Sequence, residues 1–151
     1  MIVSDGPNAD PTFELGTGQL GWETLPPFGG RAELIHGPQG GYHIFGRVRY
    51  TGLSPDVRVW FRVTPVDGGA PLNDPTDRIR LYYDVNTMTS RGLLRTAAGW
   101  ESSNALLVIL VNIQGPAGVV GRRFRFEAFA QAAGSDAIAT TEREITIVDK
   151  T

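Results

Sequence analysis

The sequence predicts an all-β fold, and two observations lead to that prediction. Apolar and polar residues alternate with period two over several short segments, as expected of strands with one face buried. The 19 glycines and 10 prolines are spread along the chain and separate these segments at fairly regular intervals. No segment keeps a 3.6-residue period over three turns, and only residues 90–100 offer a candidate helical turn.

Two neighbouring segments show the alternation most clearly. In residues 42–50 the even-numbered side chains are apolar or glycine and are predicted to face the core. In residues 57–63 the odd-numbered side chains are apolar, and Arg58, Trp60 and Arg62 point the other way. Two such strands in succession predict an antiparallel neighbouring pair.

The other predicted strands give the count and the fold. Residues 106–111 are apolar at every position, which predicts a central strand covered on both faces. This run lies within a strand predicted at 105–112, and the remaining strands are predicted at 13–15, 31–36, 78–85, 122–130 and 139–148. About seven or eight short strands predict an antiparallel immunoglobulin-like β-sandwich with Greek-key connections. The chain has no cysteine, so packing alone must hold the two layers together.

Length and composition restrict the class of protein. A chain of 151 residues with 41% hydrophobic residues is long enough for one buried core. We predict a flexible segment over residues 1–11, rich in turn-forming residues, and a single domain over 12–151. A net charge of −2 argues against a nucleic-acid binder, and no transmembrane span is predicted.

Charge is distributed unevenly along the chain. Residues 1–46 carry a net charge of −4, residues 47–125 carry +5, and residues 126–151 carry −3. Alternate positions of predicted strands hold arginines, which predicts an arginine-rich outer sheet face for binding a protein or an anionic polysaccharide. The predicted binding residues are Arg47, Arg49, Arg58, Trp60, Arg62, Arg78, Arg80, Arg123 and Arg125. The alternative is that these arginines form ordinary surface ion pairs with Glu127, Glu142 and Glu144.

Two short motifs suggest ion binding. His36 and His43 bracket the Gly37-Pro38-Gln39-Gly40-Gly41 run, which predicts a tight connection between two strands. If the strand register placed the two imidazoles side by side, they would form a small metal site. The oxygen-rich residues 73–77 suggest calcium, although turns stabilised by Asn and Asp side chains explain the same composition.

Sequence signatures of enzymes are missing. The chain has no Gly-x-Ser-x-Gly elbow, no phosphate-binding glycine loop followed by lysine and no His-Glu-x-x-His. Nothing marks out a carboxylate pair for glycoside hydrolysis. We therefore predict a non-enzymatic protein without a cofactor.

Three further segments carry a resemblance to a known group of proteins. They are Glu14-Leu15-Gly16-Thr17-Gly18, the turn Gly37-Pro38-Gln39-Gly40-Gly41-Tyr42-His43, and Gly118-Val119-Val120-Gly121-Arg122. Together they resemble an uncharacterised group of exported, often lipoprotein-like β-sandwich proteins of Gram-negative bacteria. The resemblance implies a non-catalytic role in the periplasm, at the outer-membrane surface or outside the cell. The chain departs from the group in having no lipid-anchoring cysteine.

Three functions are consistent with these features of the sequence. The first is a binding module of the cell envelope or exterior that recognises a macromolecule through the arginine-rich face. The second is a structural subunit that assembles with copies of itself, adding residues 1–11 to an open sheet edge of a neighbour. The third is a small metal-binding domain using His36 and His43.

Overall fold

The chain is all-β. The computed structural model describes residues 12–37, 41–52, 57–73, 85–88, 93–96, 99–102, 105–111, 113, 115–132 and 134–149. The strands are β1 (Thr12–Thr17), β2 (Glu23–Thr24), β3 (Gly30–His36), β4 (Tyr42–Thr51), β5 (Val57–Pro65), β6 (Val85–Met88), β7 (Leu93–Thr96), β8 (Gly99–Ser102), β9 (Leu106–Leu110), β10 (Arg123–Ala132) and β11 (Ile138–Asp149). A single 3-10 turn, Pro116–Gly118, is the one helical element among these ranges. The predicted strand at 78–85 lies outside the described residues except for Val85.

Backbone hydrogen bonds connect the strands in the order β2-β1-β4-β3-β11-β10-β5-β6. β8 and β9 pair with β4, and β7 pairs with β8. β3 and β4 form a short antiparallel pair, in which Ile35 lies opposite His43 and His36 lies opposite Tyr42. This pairing confirms the predicted hairpin around the Gly37–Gly41 run. The hairpin forms the corner where the chain passes between two layers.

One strand pair departs from the predicted antiparallel arrangement. β3 runs parallel to β11, with Gly30 opposite Ile145 and Leu34 opposite Asp149. The two strands are far apart in sequence, so no hairpin dictates their relative direction. The result is a mixed sheet.

The predicted pairing of 42–50 with 57–63 is wrong, because β4 and β5 lie in different layers. β5 pairs with β10 and β6, whereas β4 pairs with β1, β3, β8 and β9. A Cβ built on Gly46 of β4 would lie 2.8 Å from the ring of Phe61 and 3.3 Å from that of Phe126. The β4 backbone therefore contacts the opposite layer directly, and only glycine leaves room for it.

The core lies between these layers, as the alternation predicted. On β4 the buried apolar side chains are Ile44, Val48 and Tyr50, and on β5 they are the odd-numbered residues from Val57 to Val63. β10 contributes Phe124, Phe126, Ala128 and Ala130, and β11 contributes Ile145 and Ile147. Burial of these apolar side chains is the main source of stability in a chain without disulfides.

Two predictions for the region 90–111 are wrong. Residues 93–96 and 99–102 pair as strands β7 and β8, not as a helical turn. β9 is not a central strand, because β4 is its one partner among the described strands and Leu107 is 45% exposed. An unbroken apolar run gives no period, so it cannot indicate which face of the strand is covered.

The Asn73 side chain closes the edge of β5 beyond the last residue that pairs with β6. Its Oδ1 accepts a hydrogen bond from Val63 N at 2.8 Å, and its Nδ2 donates to Phe61 O at 2.7 Å. Leu72 N donates to Val63 O, and Val111 N donates to Leu72 O. Asn73 is completely buried, and its amide completes the hydrogen bonding of β5 where no strand pairs with it. The other residues suggested for calcium, 74–77, lie outside the described residues.

Gly46→Ala is expected to destabilise the fold. The new methyl group would lie 2.8 Å from the buried Phe61 ring and 3.3 Å from the buried Phe126 ring, and overpacking of this kind costs about 1–3 kcal/mol. Denaturant unfolding followed by tryptophan fluorescence measures the change. Gly118→Ala is the matched control, since no atom lies within 4 Å of its added Cβ. Equal stability of the two variants would contradict the close packing.

Asn73→Ala is expected to lower the free energy of unfolding by roughly 3 kcal/mol, because a buried N–H and a buried carbonyl lose their partners. The control is Gln131→Ala, which removes an exposed side-chain bond to Ser135 O. We expect a change within about 0.5 kcal/mol for that control. A similar small loss for Asn73→Ala in the same denaturant titration would exclude its role at the edge.

Candidate interaction surface

Four of the predicted arginines and Trp60 lie on one outer sheet face. β5, β10 and β11 are neighbours, and the side chains that point away from the core form rows across them. One row is Arg62–Glu127–Glu142, and the next is Thr64–Arg125–Glu144. We call this surface the arginine face, and it comprises Arg58, Trp60, Arg62, Arg123, Arg125, Glu127, Phe129, Glu142 and Glu144.

An aromatic pair occupies one end of the arginine face. The rings of Trp60 and Phe129 are stacked, with centroids 5.4 Å apart and planes 11° apart. The guanidinium of Arg62 lies 5.1 Å from the centroid of Phe129. Ile138, 49% exposed, lies on β11 at this end. The pair is thus packed against its own sheet and edged by an exposed aliphatic residue.

Ion pairs cover the middle of the face. Arg123 Nη1 lies 3.2 Å from Glu144 Oε1 and donates a hydrogen bond to it. Glu127 Oε1 lies 3.9 Å from Arg62 Nη1 and 3.5 Å from Arg125 Nε, and Arg125 Nε lies 4.0 Å from Glu142 Oε2. The glutamates named in the alternative interpretation are therefore the neighbours of these arginines.

These contacts leave much of the hydrogen-bonding capacity of the face unused. Within the described part of the chain, the side chains of Arg58, Arg62 and Arg125 donate no hydrogen bond, although each guanidinium has five N–H donors. Glu127 Oε1 is buried without a hydrogen-bond partner. The face therefore presents donors that no side chain of the described ranges satisfies.

Arg47 does not belong to the arginine face, which corrects the prediction for this residue. It is 4% exposed, and its guanidinium donates to Gly18 O at 2.7 Å and Gln19 O at 3.0 Å. A third, longer bond reaches Ser102 O. Arg47 thus fastens the turn after β1 to β4, a structural role that its alternating position did not indicate.

Arg49 also lies elsewhere, on the outer face of the other layer. It forms a two-point hydrogen bond with Glu14 across β1 and β4, and this bond raises the pKa of the Arg49 guanidinium. Glu101 lies 3.8 Å away, and the Trp22 ring lies 4.1 Å from the Arg49 guanidinium. Arg78 and Arg80 lie outside the described residues.

The two histidines do not lie side by side, which is the condition for the predicted metal site. The β3–β4 register pairs His36 with Tyr42 and Ile35 with His43, which places the imidazoles on opposite faces of the hairpin. His36 Nε2 lies 3.3 Å from Asp149 Oδ1, whereas His43 packs edge-on against Phe45. Across the described ranges, no group of three or more His, Cys, Asp or Glu side chains is placed to hold a metal ion.

The outer edge of β11 is open over residues 138–142. At Glu144 this edge is closed by a hydrogen bond from its N–H to Pro27 O, and from Ile145 onward β3 pairs with it. Because strand backbone groups alternate in direction, Glu142 and Thr140 also direct their N–H and C=O groups outward. Among the described residues, none pairs with this stretch of edge.

A shallow pocket of about 360 Å³ lies beside this open edge and the arginine face. Its lining includes Phe28, Val66, Arg125, Glu142 and Glu144. Phe28 is 74% exposed and Val66 is 45% exposed. Neither residue is predicted from the sequence, because both lie in turns or bends and belong to no periodic segment, whereas the alternation in β10 does place Phe129 on the outer face.

Comparisons with known proteins identify no family for this chain. No family model and no curated protein matches the chain. Among solved structures, the CooA pilin subunit from enterotoxigenic Escherichia coli is similar over 93% of this chain and 99% of its own, with 16% identity and a TM-score of 0.40. At that TM-score a common fold is not shown. A search of the described residues finds no helix with the length and apolar character needed to cross a membrane.

Stability is expected to fall as the pH drops below about 6.5, because burial lowers the pKa of the His43 imidazole. Below that pH the unfolded chain binds a proton at His43 more readily than the folded chain does. The stabilisation is therefore fully present above the ordinary pKa and is lost as the pH falls through the lower pKa of the folded state. Melting temperatures at about pH 7.5 and pH 5 measure this loss. His43→Gln should reduce this loss. An equal loss in wild type and His43→Gln would contradict this assignment.

Proposed function

We propose that the chain is a non-enzymatic structural subunit that assembles with copies of itself by strand addition at β11. The observation that carries this proposal is the open edge at residues 138–142, with outward backbone groups at Thr140 and Glu142. Unpaired edges are templates for another strand, and monomeric proteins commonly cover or shorten them. β5 follows that rule through Asn73, and β11 does not.

The donor in this proposal is residues 1–11 of a second copy. These residues lie outside the described ranges, and their sequence begins with three apolar side chains, Met1, Ile2 and Val3. An extended segment of this length spans about 36 Å, whereas the open edge spans about 17 Å. Main-chain hydrogen bonds would supply the binding energy, and the exposed Ile138 would give the donor an apolar contact.

We also propose that the chain is an immunoglobulin-like sandwich located in the envelope or outside the cell. The order β11-β10-β5-β6 matches the G-F-C-C′ order of an immunoglobulin-like sandwich, and β4 with β9 corresponds to B with E. Subunits with such a sandwich and an open edge suit assembly in the envelope or outside the cell. This location agrees with the resemblance of the sequence to exported β-sandwich proteins.

A second candidate function is a binding module that recognises a protein or an anionic polysaccharide through the arginine face. The unused donors of Arg58, Arg62 and Arg125 favour it. The glutamates of the same face oppose a purely anionic ligand. Salt-dependent heparin binding by a monomer, abolished by Arg62→Glu, would favour this function over assembly.

Thr140→Pro is expected to abolish strand addition. Proline removes an outward N–H that has no partner in the described chain, and edge positions tolerate it. Size-exclusion chromatography with light scattering should show wild-type assemblies well above the 16.4 kDa of one chain. The variant should give one discrete species of one or two chains.

Thr140→Val is the matched control, because it keeps the N–H and should assemble like wild type. An excess of a synthetic peptide of residues 1–11 should disperse wild-type assemblies. Circular dichroism verifies that the proline variant is folded. Assemblies that persist in folded Thr140→Pro, or a wild type that stays at one chain at every concentration, would overturn the proposal.

A further inference from the structure

We propose that the arginine face is also a contact surface for a second copy of the chain, packed face to face about a two-fold axis parallel to the strands. This contact uses side chains of the sheet face and not the backbone edge of β11. It is therefore independent of strand addition. Three features of the face support it: its charge layout, its unused donors and its two apolar ends.

The charges of the face are separated across the strands. β5, on one side, carries Arg58 and Arg62, and β11, on the other side, carries Glu142 and Glu144. β10 lies between them and holds the Arg125–Glu127 ion pair near its centre. One side of the face is thus positive, the other is negative, and the middle is internally neutralised.

A two-fold axis along β10 superposes opposite charges. Rotation about this axis keeps each residue at its level along the strands and exchanges β5 with β11. Arg62 and Glu142 share a level, since both are in register with Glu127. Arg62 of one copy therefore lies over Glu142 of the other, and the contact occurs twice. Complementary charges of this kind set the orientation of a contact.

The Arg62 guanidinium and the Glu142 carboxylate are the groups that would bond across this contact. Arg62 is held by Glu127 only at 3.9 Å, and Glu142, 64% exposed, approaches Arg125 only at 4.0 Å. Both side chains are free to form a shorter, charge-assisted hydrogen bond with a partner. A second copy supplies that partner for both of them at once.

Apolar side chains at the two ends complete the match. The axis brings Phe129 of one copy against Phe129 of the other, with Trp60 over Thr140, and it places Ile138 over Arg58. At the opposite end, Phe28 lies on the β11 side and Val66 on the β5 side, so the axis brings Phe28 of one copy toward Val66 of the other. Aromatic and arginine side chains together are the composition enriched at protein contacts.

The size of the face limits the affinity. β5 has nine residues, and three strands cover a footprint of about 30 Å by 14 Å. This is small for a specific contact, so we expect a weak dimer with a dissociation constant on the order of 0.1 mM. A long anionic polysaccharide fits less well, because it would also meet Glu142 and Glu144.

The test is a charge exchange between two variants, made in the Thr140→Pro background so that strand addition does not contribute. Arg62→Glu places like charges opposite each other in its own dimer, and Glu142→Arg does the same with the opposite sign. Each should weaken dimerisation by about tenfold or more in sedimentation equilibrium. In a 1:1 mixture the reversed residues face each other, and the heterodimer should recover to within about threefold of the parent.

The controls separate this contact from folding and from strand addition. Arg31→Glu makes the same charge change at an exposed residue of β3, outside the arginine face, and should leave the dissociation constant unchanged. The mixture also controls for folding, because the intrachain repulsion between the carboxylate introduced by Arg62→Glu and Glu127 persists in it. Failure of Thr140→Pro to disperse assemblies would refute strand addition alone, and the exchange would then be repeated in the wild-type background.

Three results would overturn the contact. The first is that the single variants dimerise like the parent, and the second is that the mixture recovers no dimerisation. The third is a parent that stays monomeric at about 1 mM, roughly tenfold above the expected dissociation constant. If that monomer also bound heparin in a salt-dependent way that Arg62→Glu abolished, the arginine face would instead be a polysaccharide site.

Discussion

The close approach of β4 to the opposite layer at Gly46 is the constraint on which the rest of the structure depends. The rings of Phe61 and Phe126 fill the space that a side chain at position 46 would need. This contact fixes the separation of the layers at the centre of the core. The inward rows of β4, β5 and β10 then pack with the alternation that their sequences contain. Without a disulfide, the packing of these residues must maintain the arrangement.

Packing two layers of strands leaves sheet edges, and the edges of β5 and β11 differ in how much of each is covered. Asn73 and Leu72 complete β5 with one side-chain amide and one backbone bond. The Pro27 carbonyl closes β11 at Glu144, and parallel β3 closes it beyond. Residues 138–142 have no such cover in the described chain. An edge that is closed along most of its length and open at one end suits an added segment better than uncontrolled sheet growth.

The outer face of β5, β10 and β11 is neither strongly cationic nor inert. Its arginines neighbour glutamates, yet most of these ion pairs are too long to be hydrogen bonds. Loose pairs in water contribute little to folding stability. Their arrangement, positive on β5 and negative on β11, has more consequence for what approaches the face than for the fold beneath it.

The sequence by itself determined the all-β class, the strands at the two ends of the chain, the inward residues of β4 and β5, and the outward positions of Arg58, Trp60 and Arg62. Each of these follows from a period of two, which is a local property. Tertiary structure decided that β4 faces β5 rather than pairing with it, and that β3 runs parallel to β11. It also buried Arg47 and separated His36 from His43. Alternation identifies the face of a residue but neither its sheet nor its neighbour, because hydrogen-bonded register joins segments that are distant in the chain.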